Sequence, residues 1–317
     1  MCLHLNHAVV GLALAIDRAF KMVDAVAIAG HVRTLAHGDA AAKARAAWAL
    51  WRLMCPSPGG VNLSSDEPRN AITAAGATFL LVELLQSGGE GARCAAGALM
   101  SLAYNQDNVV AIVAAGGIAP LVELVGRGCA GGKSNAALAL GNLALNDDNI
   151  RVAIAAAGAI APLIELVRSG NAEPMVWAAW ALGILAMNAD NQVAIAAAGA
   201  IEPLLWFVWS NSPGADNAQE ALKTLAYRNV DNQVIMAEAR GDLALIQKLA
   251  RYSTNAKDAA ARVRARNPRL IATRVLEELD ARRARRRLGV VRKCVGGKVP
   301  AELEPAIAAC LGRRALS

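Results

Sequence analysis

Apolar residues in this chain cluster in short blocks that make or pack helices, and the strand-type alternation of Val, Ile and Thr is hard to find anywhere. The blocks recur. The nine residues VAIAAAGAI stand at 152–160 and again, letter for letter, at 193–201. Around them the dipeptide Asp-Asn returns at Asp107-Asn108, Asp148-Asn149, Asp190-Asn191 and Asp231-Asn232, at steps of 41, 42 and 41 residues. A glycine follows each pair by eight or nine residues: Gly116, Gly158, Gly199 and Gly241. Gly76 and Gly30 extend the series upstream, the step of 46 from Gly30 reflecting an extra loop around 56–67. A fixed period of this length is the mark of a stacked array, in which no single unit buries its apolar face alone.

Each unit has one grammar. Asp-Asn caps a short first helix such as 192–198, because a side-chain oxygen there accepts from backbone N–H groups that lack a helical partner. Glycine then ends that helix, since the left-handed conformation after a helix costs glycine nothing. Pro120, Pro162 and Pro203 suit the first turn of a second helix, reading PLVELV or PLIELV in the first two, where a missing N–H is not needed. A polar Gly/Ser/Asn loop leads to a longer third helix, expected over 135–145 and 176–187.

Three helices in about 41 residues, with a Gly-then-Pro break between the first two, resemble the armadillo repeat over about 22–266. Among armadillo proteins the resemblance extends to importin alpha, beta-catenin and the vacuolar scaffolds. It implies an all-α protein: a right-handed α-solenoid of about six units, with third helices lining a concave groove and second helices towards the convex side. Residues 1–21 read as a partial N-terminal repeat, 22–266 as the solenoid, and 267–317 as a basic C-terminal helix and tail.

Composition and charge sharpen this picture. The apolar runs 152–164 and 175–187 stop at 13 residues, short of the roughly 20 that span a bilayer, so no transmembrane segment is expected. The net charge of +7 divides unevenly: 16 Lys+Arg against 20 Asp+Glu over 1–250, and 17 against 6 over 251–317. Residues 268–288 can form an amphipathic helix ending in Arg282, Arg283, Arg285, Arg286 and Arg287, with Arg292 and Lys293 behind. Such a cluster suits an import receptor, nucleic acid or anionic lipid, or a solvated cap on a helix C-terminus. Six scattered cysteines without a CxxC pair fit a reducing compartment, and a cytoplasmic or nuclear location is expected.

Catalytic patterns are poorly represented. GRGCAGGKS at 126–134 has Arg127 where a phosphate-cradling loop needs glycine, and it aligns with the loops between second and third helices. The four histidines lie before residue 40 and none precedes Glu, so neither a metal site nor a Ser/His/Asp set can be placed, and no cofactor is expected. Glu83, Glu123 and Glu165 recur once per unit as a solvated face.

The resemblance also directs attention to the groove. Peptide-binding armadillo proteins such as importin alpha carry Trp and Asn four residues apart on the third helix. Here the Trp position holds Trp48, Gly97, Leu138, Trp180 and Glu220, and the Asn position holds Arg52, Ser101, Asn142, Ile184 and Thr224, so no unit has both. Trp177 stands in a column otherwise filled by Arg45, Cys94, Asn135 and Asn217, one stripe with Trp180 and Ile184. On the second helix, Trp206 and Trp209 replace polar residues and mark a convex contact or the cover of a neighbouring segment. The resulting expectation is a non-enzymatic scaffold that binds a protein or peptide partner in its groove. An import adaptor for basic peptides is the alternative, and a helical-repeat enzyme a lesser one.

Overall fold

A computed structural model describes residues 25–55, 66–229, 231–233 and 235–236. The chain divides into two compact units, 1–232 and 233–317, and the account below concerns the first. The partial repeat at 1–21, the corner at Gly241 and the basic cluster Arg282–Arg287 with Arg292 and Lys293 lie outside the described residues.

The described residues are helical, with no strand among them. A helix over 25–37, α1, is followed by α2 (Ala40–Met54). Four three-helix units come next. They are α3 (Glu67–Ala74), α4 (Ala77–Leu85) and α5 (Gly89–Leu102); α6 (Gln106–Ala114), α7 (Ile118–Arg127) and α8 (Ala130–Ala144); α9 (Asp148–Ala156), α10 (Ile160–Arg168) and α11 (Ala172–Leu185); and α12 (Ala189–Ala197), α13 (Ile201–Trp209) and α14 (Ala215–Ala226). The third helices α2, α5, α8, α11 and α14 stack in sequence, each from α5 onwards also packing on the second helix of its own unit. Being covered on two sides, they are built of small residues. Ala95, Ala96, Ala98, Ala136, Ala137, Ala139, Ala178, Ala179 and Ala181 are fully buried, with Leu99, Leu140 and Leu182 filling the space between. A leucine so buried contributes about 1.5–3 kcal/mol relative to exposure.

The doubled nonapeptide is a helix-terminating corner. At Gly158 and Gly199 the backbone takes φ +84° and +81°. The Gly158 N–H reaches the Ala155 carbonyl at 2.9 Å and the Ala159 N–H reaches the Ile154 carbonyl at 3.3 Å, and the same pair of bonds recurs at Gly199 and Ala200. This is a Schellman ending, completed by the buried contact pair Ile154 and Ala159. The chain leaves it bent: α6 and α7 meet at 84°, α9 and α10 at 78°, α12 and α13 at 81°. Pro120, Pro162 and Pro203 are each the third residue of the helix that follows.

Three sequence expectations need correction. Gly30 is no corner, because α1 runs straight through it and the first described unit has two helices where the others have three. The cap of each first helix is not the Asp-Asn pair but the residue one or two positions before it. Asn105, Asp147 and Asn188 each accept from two backbone N–H groups. The third helices also begin earlier than the polar strings suggested: α8 starts at Ala130, so most of GRGCAGGKS is helical and only Gly128 and Cys129 connect α7 to α8. Burial of Gly132 and Ser134 in the packed array outweighs the weak helix propensity of that string.

Candidate partner-binding face

Repeats are joined along the third helices by asparagine side chains, among them Asn142, which the sequence reading placed in the partner groove. Asn142 Nδ2 donates to the Met100 carbonyl at 3.0 Å, Asn135 Nδ2 to the Arg93 carbonyl at 3.1 Å, and Asn217 Nδ2 to the Val176 carbonyl at 3.3 Å. Each bond crosses to the preceding third helix over 41 or 42 residues, landing one residue before the equivalent position. Asn142 is 6 % exposed, so its amide donor is already committed within the array. Ser101 and Ile184 in the same column are buried as well, and Thr224 is half-buried with its hydroxyl donating to the Glu220 carbonyl at 3.0 Å.

Two asparagines of the Asp-Asn pairs, Asn191 and Asn232, act in a similar way, whereas the buried Asn108 Nδ2 has no hydrogen-bond partner. Asn191 Nδ2 donates to the carbonyls of Arg151, in the preceding first helix, and Leu185, at the end of the preceding third helix, at 3.1 and 3.2 Å. Asn232 repeats this with Gln192 and Leu225 at 3.4 and 2.9 Å. Their spacing was legible, but the second role was not, since a cap already explained them.

Tryptophan works as a wedge between units. A Cβ added to Gly141 would fall inside the Trp180 ring, and one added to Gly97 would lie 2.6 Å from Cδ2 of Trp51. The two contacts occupy the same locus from opposite sides. Trp51 projects forward onto the Gly97 of the next third helix, whereas Trp180 projects back onto the Gly141 of the previous one. Trp51 was not singled out in the sequence, although its facing glycine was a usable signal. Its ring also carries the Arg93 guanidinium at 5.8 Å from the centroid. Arg93 Nε in turn donates to Glu90 Oε2 at 2.7 Å, which holds the Glu90 carboxyl below its ordinary pKa. Burial, together with the hydrogen bond to Glu90, pushes the neighbouring Cys94 thiol up to about 11, the state of an inert thiol.

What stays accessible on the third helices is a smaller set. Trp48 is 46 % exposed, with the Arg52 guanidinium stacked 5.2 Å from its ring centroid. Trp177 and Trp180 are half-buried, and Trp180 keeps only the part of its ring not laid on Gly141. On the second-helix side Trp206 and Trp209 are 53 % and 47 % exposed, one turn apart on α13. Glu83, Glu123 and Glu165 are exposed; Glu123 pairs with Arg127 at 3.1 Å and Glu165 with Arg168 at 2.7 Å. No group of three metal-ligating side chains occurs among the described residues.

Residues 105–145, which span α6 to α8 and their N-terminal cap, match the armadillo/beta-catenin-like repeat. The described three-helix units have the armadillo-repeat fold. Solved structures agree with this along most of the chain. An engineered protein of the Northeast Structural Genomics Consortium, target OR329, is 29 % identical with a TM-score of 0.62, over 74 % of this chain and 94 % of that one. The designed armadillo repeat protein YIII(Dq)4CqI is 25 % identical with a TM-score of 0.62, over 75 % and 99 %. Computationally designed armadillo repeat proteins for modular peptide recognition include a chain 25 % identical with a TM-score of 0.61, over 74 % and 99 %. No curated protein matches the sequence.

Proposed function

We propose that this armadillo array is a non-enzymatic scaffold that holds an extended segment of a protein partner along its third-helix face. The observation that carries this reading is the pair of accessible tryptophan stations on that face, Trp48 with its stacked Arg52 and Trp177 beside Trp180. Large aromatics with a cation alongside are the groups that dominate binding energy at interfaces. The similarity to repeats designed for modular peptide recognition supports a peptide-like ligand.

The inward use of Asn135, Asn142 and Asn217 shapes the proposal. With those amides given to neighbouring carbonyls, the face has few free backbone-clamping groups, and partner capture rests on aromatic and guanidinium contacts. Import-type recognition of basic peptides, which uses a paired Trp/Asn ladder, is correspondingly the weaker reading. Trp206 and Trp209 offer a second contact on the opposite side.

Panning a random peptide library against the full chain tests the assignment. Recovered peptides should lose about 2 kcal/mol of affinity on Trp177→Ala or Trp48→Ala. They should be indifferent to Arg127→Ala, whose side chain is 84 % exposed away from this face. Peptides that bind all three variants alike would overturn the groove assignment.

A further inference from the structure

Exposed apolar side chains on a soluble surface are ordinarily scattered, and here they are not. Seven of the thirteen large apolar side chains exposed among the described residues form two series that keep the repeat period. Tyr104, Leu145, Met187 and Tyr227 each stand at the end of a third helix, three residues past the asparagine column, and are between 41 % and 62 % exposed. Val110, Val152 and Val193 stand in the first helices that follow, between 45 % and 61 % exposed. One turn before each valine, on the same helix face, is an exposed first-turn carboxylate: Asp107, Asp148 or Asp190.

Two cations of this edge, Arg69 and Arg151, are mostly buried, the Arg69 guanidinium also lying 5.7 Å from the Tyr104 ring centroid, while Arg228 is exposed. Arg69 Nε donates to the Ser101 carbonyl at 2.9 Å and Arg151 Nη2 to the Leu145 carbonyl at 2.6 Å. Their side chains are only 16 % and 13 % exposed. Asp148 shares the Arg151 guanidinium at 3.3 Å, whereas Asp107 and Asp190 have no ion pair among the described residues. Arg228 lies over Tyr227 at the far end, 5.2 Å from the ring centroid. The edge is thus a double apolar track bordered by carboxylates.

We propose that this edge, formed by third-helix ends and first-helix faces, docks a basic amphipathic helix of a partner protein laid along the array. The repeat spacing selects the helix. Stacked helices are about 8–10 Å apart, and two turns of an α-helix advance about 10.5 Å. A strand returns to the same face every ~6.7 Å and falls out of register. A polyproline helix advances about 9.3 Å per turn but presents one side chain to a face in that distance. An α-helix with apolar residues at heptad positions a and d presents two, one for each series, and its flanking Lys or Arg meet the carboxylates.

The site is separate from the tryptophan stations, so the two readings fail independently. The probe is a labelled peptide of about three heptads, Leu at a and d and Lys at e and g, titrated by anisotropy into the full chain after circular dichroism confirms its helicity. Val110→Ser, Val152→Ser and Val193→Ser combined should weaken binding at least tenfold, roughly, with an unchanged melting curve because all three are surface residues. Asp107→Asn with Asp190→Asn should weaken it and flatten its salt dependence. Trp177→Ala should leave it intact. Equal binding by the valine variant, by a scrambled peptide of the same composition or by a Glu-for-Lys peptide would overturn the proposal. So would self-association of the chain through these valines without peptide binding.

Discussion

At the scale of single residues, glycines that the repeat period places in one column do opposite things. Gly158 needs its φ of +84°, where an L side chain is strained by roughly 1–2 kcal/mol, and nothing lies within 4 Å of the added Cβ, so conformation alone decides. Gly30 sits inside α1 with an ordinary helical backbone and equally open surroundings. Alanine should therefore destabilise at 158 and stabilise by about 0.5–1 kcal/mol at 30, as read by urea unfolding. A matching loss at both positions would mean that Gly30 is a corner after all. The sequence showed the glycine period clearly. It did not show the exception, because a period records position and not backbone angle.

At the scale of elements, first and second helices were readable in advance, since the Schellman corner and the early proline are local chemistry. The starts of the third helices were not. AGGKS is helical despite its weak propensity, with Gly132 and Ser134 buried and Gly131 packed near the Arg93 side chain of the preceding unit. The tryptophans suffered from the same blindness: a stripe of Trp177, Trp180 and Ile184 is visible in one helix, but Gly141, which makes room for Trp180, lies 39 residues away. Gly141→Ala should cost about 1–3 kcal/mol by overpacking. Trp180→Leu should relieve much of that cost, so the double mutant should be more stable than the sum of the singles predicts, by a coupling of about 0.5–3 kcal/mol. Strictly additive unfolding energies would show that the ring and the glycine do not oppose each other. The candidate ligand contacts fared similarly. Asn142, expected in the partner groove, is a clamp on the neighbouring helix, and the apolar edge is hard to see in sequence because Tyr104, Leu145, Met187 and Tyr227 share position but not residue type.

For the whole molecule, the chain of neighbour-only contacts means that damage stays local. Gly183 approaches backbone: an added Cβ would meet Ala221 Cα at 3.2 Å, and no side chain can move aside to admit it. Gly183→Leu should therefore separate α11 from α14. Hydrogen exchange should quicken in α14 while amides of α5 and α8 keep their protection. Uniform loss of protection from α2 to α14 would indicate a single cooperative core instead of an array.

The pairing of ring and glycine at two joints of the third helices also constrains the order of the units. Trp51 points forward to Gly97, and Trp180 points back to Gly141. If the unit bearing Trp180 followed the one bearing Trp51, two indoles would contend for one space; pairing the Gly97 unit behind the Gly141 unit would leave that space empty. Units so similar in their corners could otherwise be exchanged, skipped or slipped by one period during folding. Complementary bulk at these two joints makes those neighbours specific, so the array has a grammar of succession as well as a repeated word.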